Sequence, residues 1–391
     1  MAVAHSPRAH ARPAANCLEA SAFFAVGPNR VRLLRDGREA YPAMLAAIAA
    51  AREEILLEMY WIGADAAGRR FRDALCERAR AGVRVRVIYD AVGSIGLPSA
   101  WWAPLRAAGA HVLEYGPIAP WRRRFRAERL AFRDHRKILI VDSETAFVGG
   151  INIAREWLPR EEGGDDWRDD AIEMRGVGAA ELRVHVCESW ARCGGPALAT
   201  AARTVLRGQR RTWVVANRID GKPNRRIRRV YNAAIRRAKK SIDISAAYFL
   251  PGPLFLHALR AARRRGVRVR VLVPARGDLR VVEHAMMGVL AQLLRDGIEV
   301  FAYEPRVLHC KTAVIDARIV ILGSHNLDTL SWRYNLESNL VVDDSAFAGE
   351  VRRSFERDLE ESVELELEAW TRKPPITRAL AWLAARFRAF L

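Results

Sequence analysis

Unbroken apolar runs behind a polar entry occur twice in the chain, in HRKILIVD at 135–142 and HCKTAVID at 309–316. Ile138, Leu139, Ile140 and Val141 are apolar at consecutive positions, so both faces of such a strand need cover, as in the centre of a sheet. Elsewhere the pattern alternates. GVRVRV stands at 82–87 and, unchanged, at 266–271. Period-two alternation with Arg on one side predicts a strand with one wet face. Each copy follows a helix-like segment, FRDALCERARA in the first half and LFLHALRAARRR in the second. Before each lies another helix and strand, YPAMLAAIAAAREEILLEMYWI and VYNAAIRRAKKSIDISAAYFL. After each comes a further helix and strand, the latter in AGAHVLEYGP and DGIEVFAYEP. The chain therefore reads as two copies of a β-α-β-α-β unit. The predicted fold is α/β, duplicated, each unit holding a mixed, mostly parallel sheet with helices outside.

This organisation divides the 391 residues into a disordered leader at 1–18, a first unit at 19–205, a second at 206–370 and a tail at 371–391. Tyr115 and Tyr303 are 188 apart but His135 and His309 only 174, so the first half carries 14 extra residues between Pro117 and His135. The insert brings Trp121, Phe125 and a burst of Arg just before the apolar strand. A solvated loop and an anion-attracting lip both fit it. In the tail, Ile376, Leu380, Leu383, Phe387 and Leu391 keep helical spacing while Arg378, Arg386 and Arg388 take other positions. A helix packed on the body and an interfacial membrane anchor both fit that pattern.

The two apolar strands share more than their hydrophobicity. Both halves read H-x-K-x4-D-x6-G-(G/S)-x-N, ending at Asn152 and at Asn326. The chain holds only six Lys beside 58 Arg, yet both motifs carry Lys. By composition, a given His meets both the Lys and the Asp spacing less than about once in a thousand, so the repeat is not chance. On a strand, His135 and Lys137 share a face, as do His309 and Lys311. Asp142 and Asp316, at odd spacing from their histidines, sit at strand ends, where they more readily tie down loops than react. Cys310 lies between His309 and Lys311 and faces away as a small core residue.

The paired sets suit one phosphodiester site between the halves. Lys137, Lys311 and the amides of Asn152 and Asn326 can hold non-bridging phosphate oxygens. One neutral imidazole can attack phosphorus, and the other can protonate the leaving alcohol and deprotonate the incoming one. Each His needs a carboxylate to fix its tautomer. Glu337, 28 residues after His309, is the candidate in the second half, and Asp169, in DDWRDDAIE, the candidate in the first. This chemistry requires neither metal nor cofactor, and no carboxylate cluster suggests a metal site.

A net charge of +19 implies a polyanionic partner, nucleic acid or an anionic membrane. The five scattered Cys show neither a zinc pattern nor a secreted framework. No apolar run reaches transmembrane length, and the N-terminal residues lack the apolar core of a signal peptide.

With both motifs in view, the chain resembles the phospholipase D superfamily. FRDHRKILIVD…FVGGIN, WRDDAIEMRG and YEPRVLHCKTAVID are most similar to bacterial cardiolipin synthases of the shorter type without N-terminal membrane spans. The resemblance runs from about residue 20 to about residue 370. It implies two α/β/α domains packed pseudo-twofold around one active site and a phosphohistidine intermediate. The implied reaction moves a phosphatidyl group from one phosphatidylglycerol to another, releasing glycerol. His135, Lys137, Asp142, His309, Lys311 and Asp316 become the catalytic candidates, with His135 as nucleophile and His309 as acid and base. Asn152 and Asn326 become the phosphate ligands, and Asp169 and Glu337 orient the imidazoles. Gly149-Gly150 stands where the second copy has Gly323-Ser324, so one hydroxyl is missing from the first half. That difference is not expected to abolish activity.

The implied location is the cytoplasmic face of the inner membrane, as a peripheral protein. Two other classes stand beside this reading. A hydrolase of the same superfamily, cutting phospholipid or nucleic acid, needs only water as acceptor. A non-catalytic membrane-binding protein would not need two His/Lys pairs. The chain shows no pattern of base-stacking aromatics in a basic groove, which argues against nucleic acid.

Overall fold

The computed structural model describes residues 21–120, 125, 132–199, 211–217, 226–277, 280–372, 374, 375 and 378. The expected leader, Trp121 with most of the arginines of the insert, the expected boundary near 205 and most of the tail lie outside the described residues.

The first half runs β1 (Phe24–Val26), β2 (Asn29–Arg35), α1 (Asp36–Ala50), β3 (Glu54–Met59), α2 (Ala66–Arg80) and β4 (Arg84–Asp90). It continues with α3 (Ala103–Ala107), β5 (His111–Tyr115), β6 (Lys137–Val141), β7 (Thr145–Gly149), β8 (Asp170–Gly176) and α4 (Val177–Arg192). The second half runs β9 (Thr212–Ala216), α5 (Arg226–Arg237), β10 (Ser241–Ala246), α6 (Pro253–Arg264), β11 (Arg268–Pro274) and α7 (Arg280–Arg295). It ends with β12 (Glu299–Tyr303), β13 (Lys311–Ile315), β14 (Ile319–Gly323), α8 (Thr329–Arg333), β15 (Ser338–Asp343), α9 (Ser345–Glu360), β16 (Ser362–Glu364) and α10 (Leu367–Thr371).

Each half builds an eight-stranded mixed sheet, ordered β1-β2-β8-β7-β6-β3-β4-β5 and β16-β12-β11-β10-β13-β14-β15-β9. The sheets are mixed, as the sequence predicts, but they are not mostly parallel. Parallel pairing is confined to β3-β4-β5 and β10-β11-β12, and every other pairing of the two sheets is antiparallel. The reason is connectivity: among strands that lie side by side, helical crossovers link only those, whereas β6 and β7, like β13 and β14, are joined by tight turns.

The repeated GVRVRV marks one crossover in each half. Gly82 and Gly266 take φ of +89° and +86° and donate to the carbonyls of Ala79 and Arg263, so each caps a helix and turns the chain into the next parallel strand. The Arg side of these strands is wet only at its first position, where Arg84 and Arg268 are exposed. Arg86 pairs with Glu54, and Arg270, 2% exposed, pairs with Asp243 and with Glu356 of α9. Helices cover that face too, α9 in the second half and in the first α4, whose Arg183 pairs with Glu54. Beyond the first arginine, the alternation therefore marks an ion-paired interior face rather than a solvated one.

Both faces of β6 are buried, as its apolar run requires. Leu139 packs with Leu57, Phe147, Tyr41 and Phe71 under α1 and α2. Ile138, Ile140 and Val148 turn the other way and meet Val314, Val320 and Leu322 of the second sheet in a shared core. The two halves are thus joined face to face by apolar burial, about 1.5–3 kcal/mol per large side chain. Cys310 is fully buried beside Leu308 and Phe355, as expected of a small core residue. Among the described residues, no helix is long and apolar enough to cross a membrane.

Candidate active site

His135 and His309 each stand two residues before a central strand, and each is anchored by the other half of the molecule. His135 donates its backbone N–H to Leu336 O (3.0 Å), and Leu336 donates to Arg133 O (2.8 Å). In the mirror arrangement, His309 donates to Arg168 O (2.7 Å) and Arg168 to Val307 O (2.9 Å). Asp134 and Leu336, and likewise Arg168 and Leu308, form short parallel bridges. The residue after each bridge supplies the next contact, so a His from one half meets a carboxylate from the other.

That pairing corrects the spacing argument. Position within each half assigns Glu337 to His309 and Asp169 to His135. Instead, Nδ1 of His135 lies 3.1 Å from both carboxylate oxygens of Glu337, and Nδ1 of His309 lies 2.7 Å from Oδ2 of Asp169. The two bridges put each carboxylate one residue beyond its bridge, directly beside the His of the other half. With Nδ1–H given to a carboxylate, Nε2 of each ring is the nitrogen available for chemistry.

The two carboxylates are held differently. Ser324 Oγ donates to Glu337 (2.5 Å). Asp169 has no such hydroxyl, because Gly150 takes the place of that serine. It accepts instead from the Trp157 indole N–H (3.1 Å) and the Asp170 backbone N–H (2.8 Å). A Cβ at Gly150 would sit 2.2 Å from Asp169 Oδ1. The missing hydroxyl is therefore a space requirement of the shorter carboxylate. Gly150→Ser, which restores the motif of the second copy, is expected to displace Asp169 and lower turnover about 100-fold while leaving the melting temperature close to that of the parent. Steady-state rates and thermal unfolding of the variant check this.

Lys137 donates to the His135 carbonyl (2.7 Å) and lies 4.8 Å from the Tyr60 ring centre. Lys311 donates to the His309 carbonyl, and its Nζ stands 2.9 Å from Nδ1 and 3.2 Å from Nε2 of that ring. The ammonium thus lies against the ring, nearly equidistant from its two nitrogens, while Asp169 accepts the Nδ1 proton. Both lysines and both histidines are buried. Burial first, then the neighbouring lysines, holds His135 well below the ordinary imidazole value. His309 is lowered by burial and Lys311 in turn. Lys137 is pushed down to about 7, chiefly by burial. The carboxylates diverge: burial raises Glu337, whereas for Asp169 the effect of burial is outweighed by Lys311 and His309, which bring it below the usual range.

His135, His309, Asn152 and Asn326 line one pocket of about 420 Å³. Asn152 Oδ1 accepts from the Trp61 N–H (3.1 Å), which turns its amide nitrogen elsewhere. Asn326 Oδ1 is buried with no partner among the described residues, a polar atom left for a ligand. Asp142 and Asp316 are not part of this pocket. Each closes a tight turn at the far end of its strand, with φ of +51° and +53°, and accepts three backbone N–H groups. The left-handed conformation suits a hairpin turn, and Asp tolerates it. Their place among the catalytic candidates is corrected accordingly: they tie loops, Asp142 to residues 52–54 and Asp316 to 239–241.

Sequence reasoning missed the aromatic wall. Tyr60 packs edge-on against His135 (4.6 Å between ring centres), and Trp157, Trp167 and Tyr248 surround His309 at 5.3, 5.6 and 6.5 Å. Tyr60 and Tyr248 stand 188 apart, the same offset as Tyr115 and Tyr303, so the repeat itself carried this signal. Asp328, pushed up to about 7 by burial, and Asn335 also line the pocket from the second half. At the position of Asp328 the first motif has Ala154. Among the described residues, no three His, Cys, Asp or Glu side chains converge as metal ligands.

Comparison with known proteins fits this geometry. A family model for the cardiolipin synthase, PLD-like domain matches twice, at residues 44–162 and 231–359. Cardiolipin synthase A of Pseudomonas aeruginosa is 36% identical over 86% of this chain and 68% of its own length. The cardiolipin synthase of Geobacillus kaustophilus is 32% identical over 88% of this chain and 69% of its own. Among solved structures, phosphatidylserine synthase of Haemophilus influenzae shares the fold with a TM-score of 0.70 and 15% identity, covering 94% of this chain and 95% of that one. The doubled family match falls on the two sheets that supply one His, one Lys and one Asn apiece, and the chain belongs to the cardiolipin synthase family of phospholipase D-like proteins.

Proposed function

We propose that the protein is a phosphatidyltransferase that makes cardiolipin from two molecules of phosphatidylglycerol through a phosphohistidine intermediate. The observation that carries this reading is the pocket itself, where one imidazole and one Asn from each of the related halves line a single space of about 420 Å³. In the first step Nε2 of His135 attacks the phosphorus of one phosphatidylglycerol. A P–N bond forms, the P–O bond to glycerol breaks, and protonated His309 gives its proton to the leaving oxygen. In the second step a hydroxyl of the other phosphatidylglycerol gives its proton to His309 and attacks phosphorus. The P–N bond breaks, and His135 returns to its neutral state.

The division of labour follows from the surroundings of each ring. The Lys311 ammonium lies against the His309 ring, 2.9 Å from Nδ1 and 3.2 Å from Nε2, and its charge makes that ring the poorer nucleophile. Asp169, held below the usual carboxylate range, keeps the negative charge that steadies a protonated His309. His135, held neutral, keeps its lone pair for phosphorus. The lysines and the amides of Asn152 and Asn326 meet the phosphate oxygens, whose charge grows at the transition state. The relatives named cardiolipin synthase support the choice of lipid substrate. On this reading the protein works as a peripheral protein at the cytoplasmic face of the inner membrane.

The test is incubation of purified protein with phosphatidylglycerol labelled in its headgroup glycerol and, separately, in its acyl chains. Acyl label is expected in cardiolipin and headgroup label in free glycerol as well as in product, with the rate unchanged by a chelator. Accumulation of phosphatidic acid alone would mean water is the acceptor and the protein is a phospholipase. Cleavage of nucleic acid with no lipid product would move it to the nuclease class.

A further inference from the structure

We propose that the mouth of the pocket is the face that docks on an anionic phospholipid bilayer, with Ile95, Leu254 and Leu330 entering the interface. The proposal rests on the lipid-substrate reading above and adds which surface meets the membrane. Among the described residues, the exposed large hydrophobic side chains are Ile95 (71% exposed), Leu254 (65%), Val363 (48%), Leu330 (37%) and Ile118 (36%). All but Val363 belong to loops or helix starts at one end of the two sheets. Ile95 follows β4, Ile118 follows β5, and Leu254 follows β10 in the first turn of α6. Leu330 follows β14, which runs in the same direction as β10 because both pair antiparallel with β13. Ile95 and Leu330 also line the pocket, and Leu250, four residues before Leu254, forms part of its wall.

Random scatter of exposed apolar residues is ordinary; their concentration around a site is not. Exposed cations share this end of the molecule, Arg276 on the loop after β11 and Arg333 in the same short helix as Leu330. Apolar tips beside arginines suit the boundary between acyl chains and phosphates. The pocket's size makes the same demand. A space of about 420 Å³ takes a phosphodiester and its glycerol but leaves the acyl chains outside. Those chains stay in the bilayer only if the mouth reaches the interface. Water at the rim would otherwise have to be displaced by lipid at every turnover.

The experiment is sedimentation of the full-length protein with vesicles of mixed phosphatidylglycerol and phosphatidylcholine. Leu254→Asp is expected to weaken binding about tenfold, and the milder Leu254→Ser to weaken it less. Val363→Asp, also solvent-facing but away from the mouth, is expected to bind like the parent. Leu254→Asp should keep the parental melting temperature and its rate on a small soluble phosphodiester, since Leu254 does not line the pocket. If both Leu254 variants bind as tightly as the parent while the parent still converts phosphatidylglycerol, the docking face is wrong and the lipid reading stands. If the parent neither binds these vesicles nor produces lipid product, both fall.

Discussion

His135→Ala is expected to abolish phosphatidyl transfer, by at least about 10⁴-fold, because no other group in the pocket can take over the attack on phosphorus. His309→Ala is expected to behave differently. Given a substrate whose leaving group needs no protonation, such as a nitrophenyl phosphodiester, this variant should still form the covalent adduct. It should then stall, since nothing activates the incoming alcohol. A burst of nitrophenol with one equivalent released per protein, and an acid-labile, alkali-stable phosphoryl group on the His135 peptide, is the expected signature. The geometry gives the sign of this asymmetry. Lys311 lies against the His309 ring, close to both of its nitrogens, while Lys137 turns to the His135 carbonyl and the Tyr60 ring. A trapped adduct on His309 in the His135→Ala protein would reverse the roles. Normal turnover in both variants would end the phosphohistidine mechanism.

Much of this arrangement was legible in the chain. The duplicated β-α-β-α-β pattern follows from periods of two and 3.6 that local side chains impose, and the H-x-K spacing puts each pair on one strand face without reference to anything distant. What stayed hidden depends on contacts between the halves. Local alternation in GVRVRV could not reveal that α9 brings Glu356 over Arg270. The antiparallel majority of each sheet arises from how β6, β7 and β8 return beside β2 and β3, a choice made by tertiary packing. Tyr60 and Tyr248 were visible as a repeat but carried no chemistry until the fold set them against the imidazoles. The partner of each His was the least legible of all, since nothing in a spacing of 28 residues says that the carboxylate belongs to the opposite ring.

That crossing gives the second large effect, and it separates the two carboxylates by the step they damage. Glu337→Gln keeps a hydrogen-bonding group beside Nδ1 of His135 but removes the charge that the phosphoimidazolium needs. It is expected to slow adduct formation about a thousandfold and leave breakdown of a preformed adduct much closer to normal. Asp169→Asn does the same to His309, so the burst with a nitrophenyl substrate should survive while the following turnover falls by a similar factor. Glu337→Gln should therefore mimic His135→Ala, and Asp169→Asn should mimic His309→Ala, although each carboxylate lies in the other half from the ring it serves. Glu337→Asp and Asp169→Glu serve as conservative controls: each restores charge at the wrong length, and partial rescue of the matching step is expected. Merely structural roles would lower both steps together and shift the melting temperature. If Glu337→Gln instead spared the burst and stalled turnover, the pairing within each half read from the spacing would be right and the crossed geometry wrong. The crossed pairing also makes the active site a property of the assembled halves. Neither sheet alone holds a complete His and carboxylate, so apolar burial between Ile138, Ile140 and Val148 and the facing Val314, Val320 and Leu322 is what brings the chemistry into being.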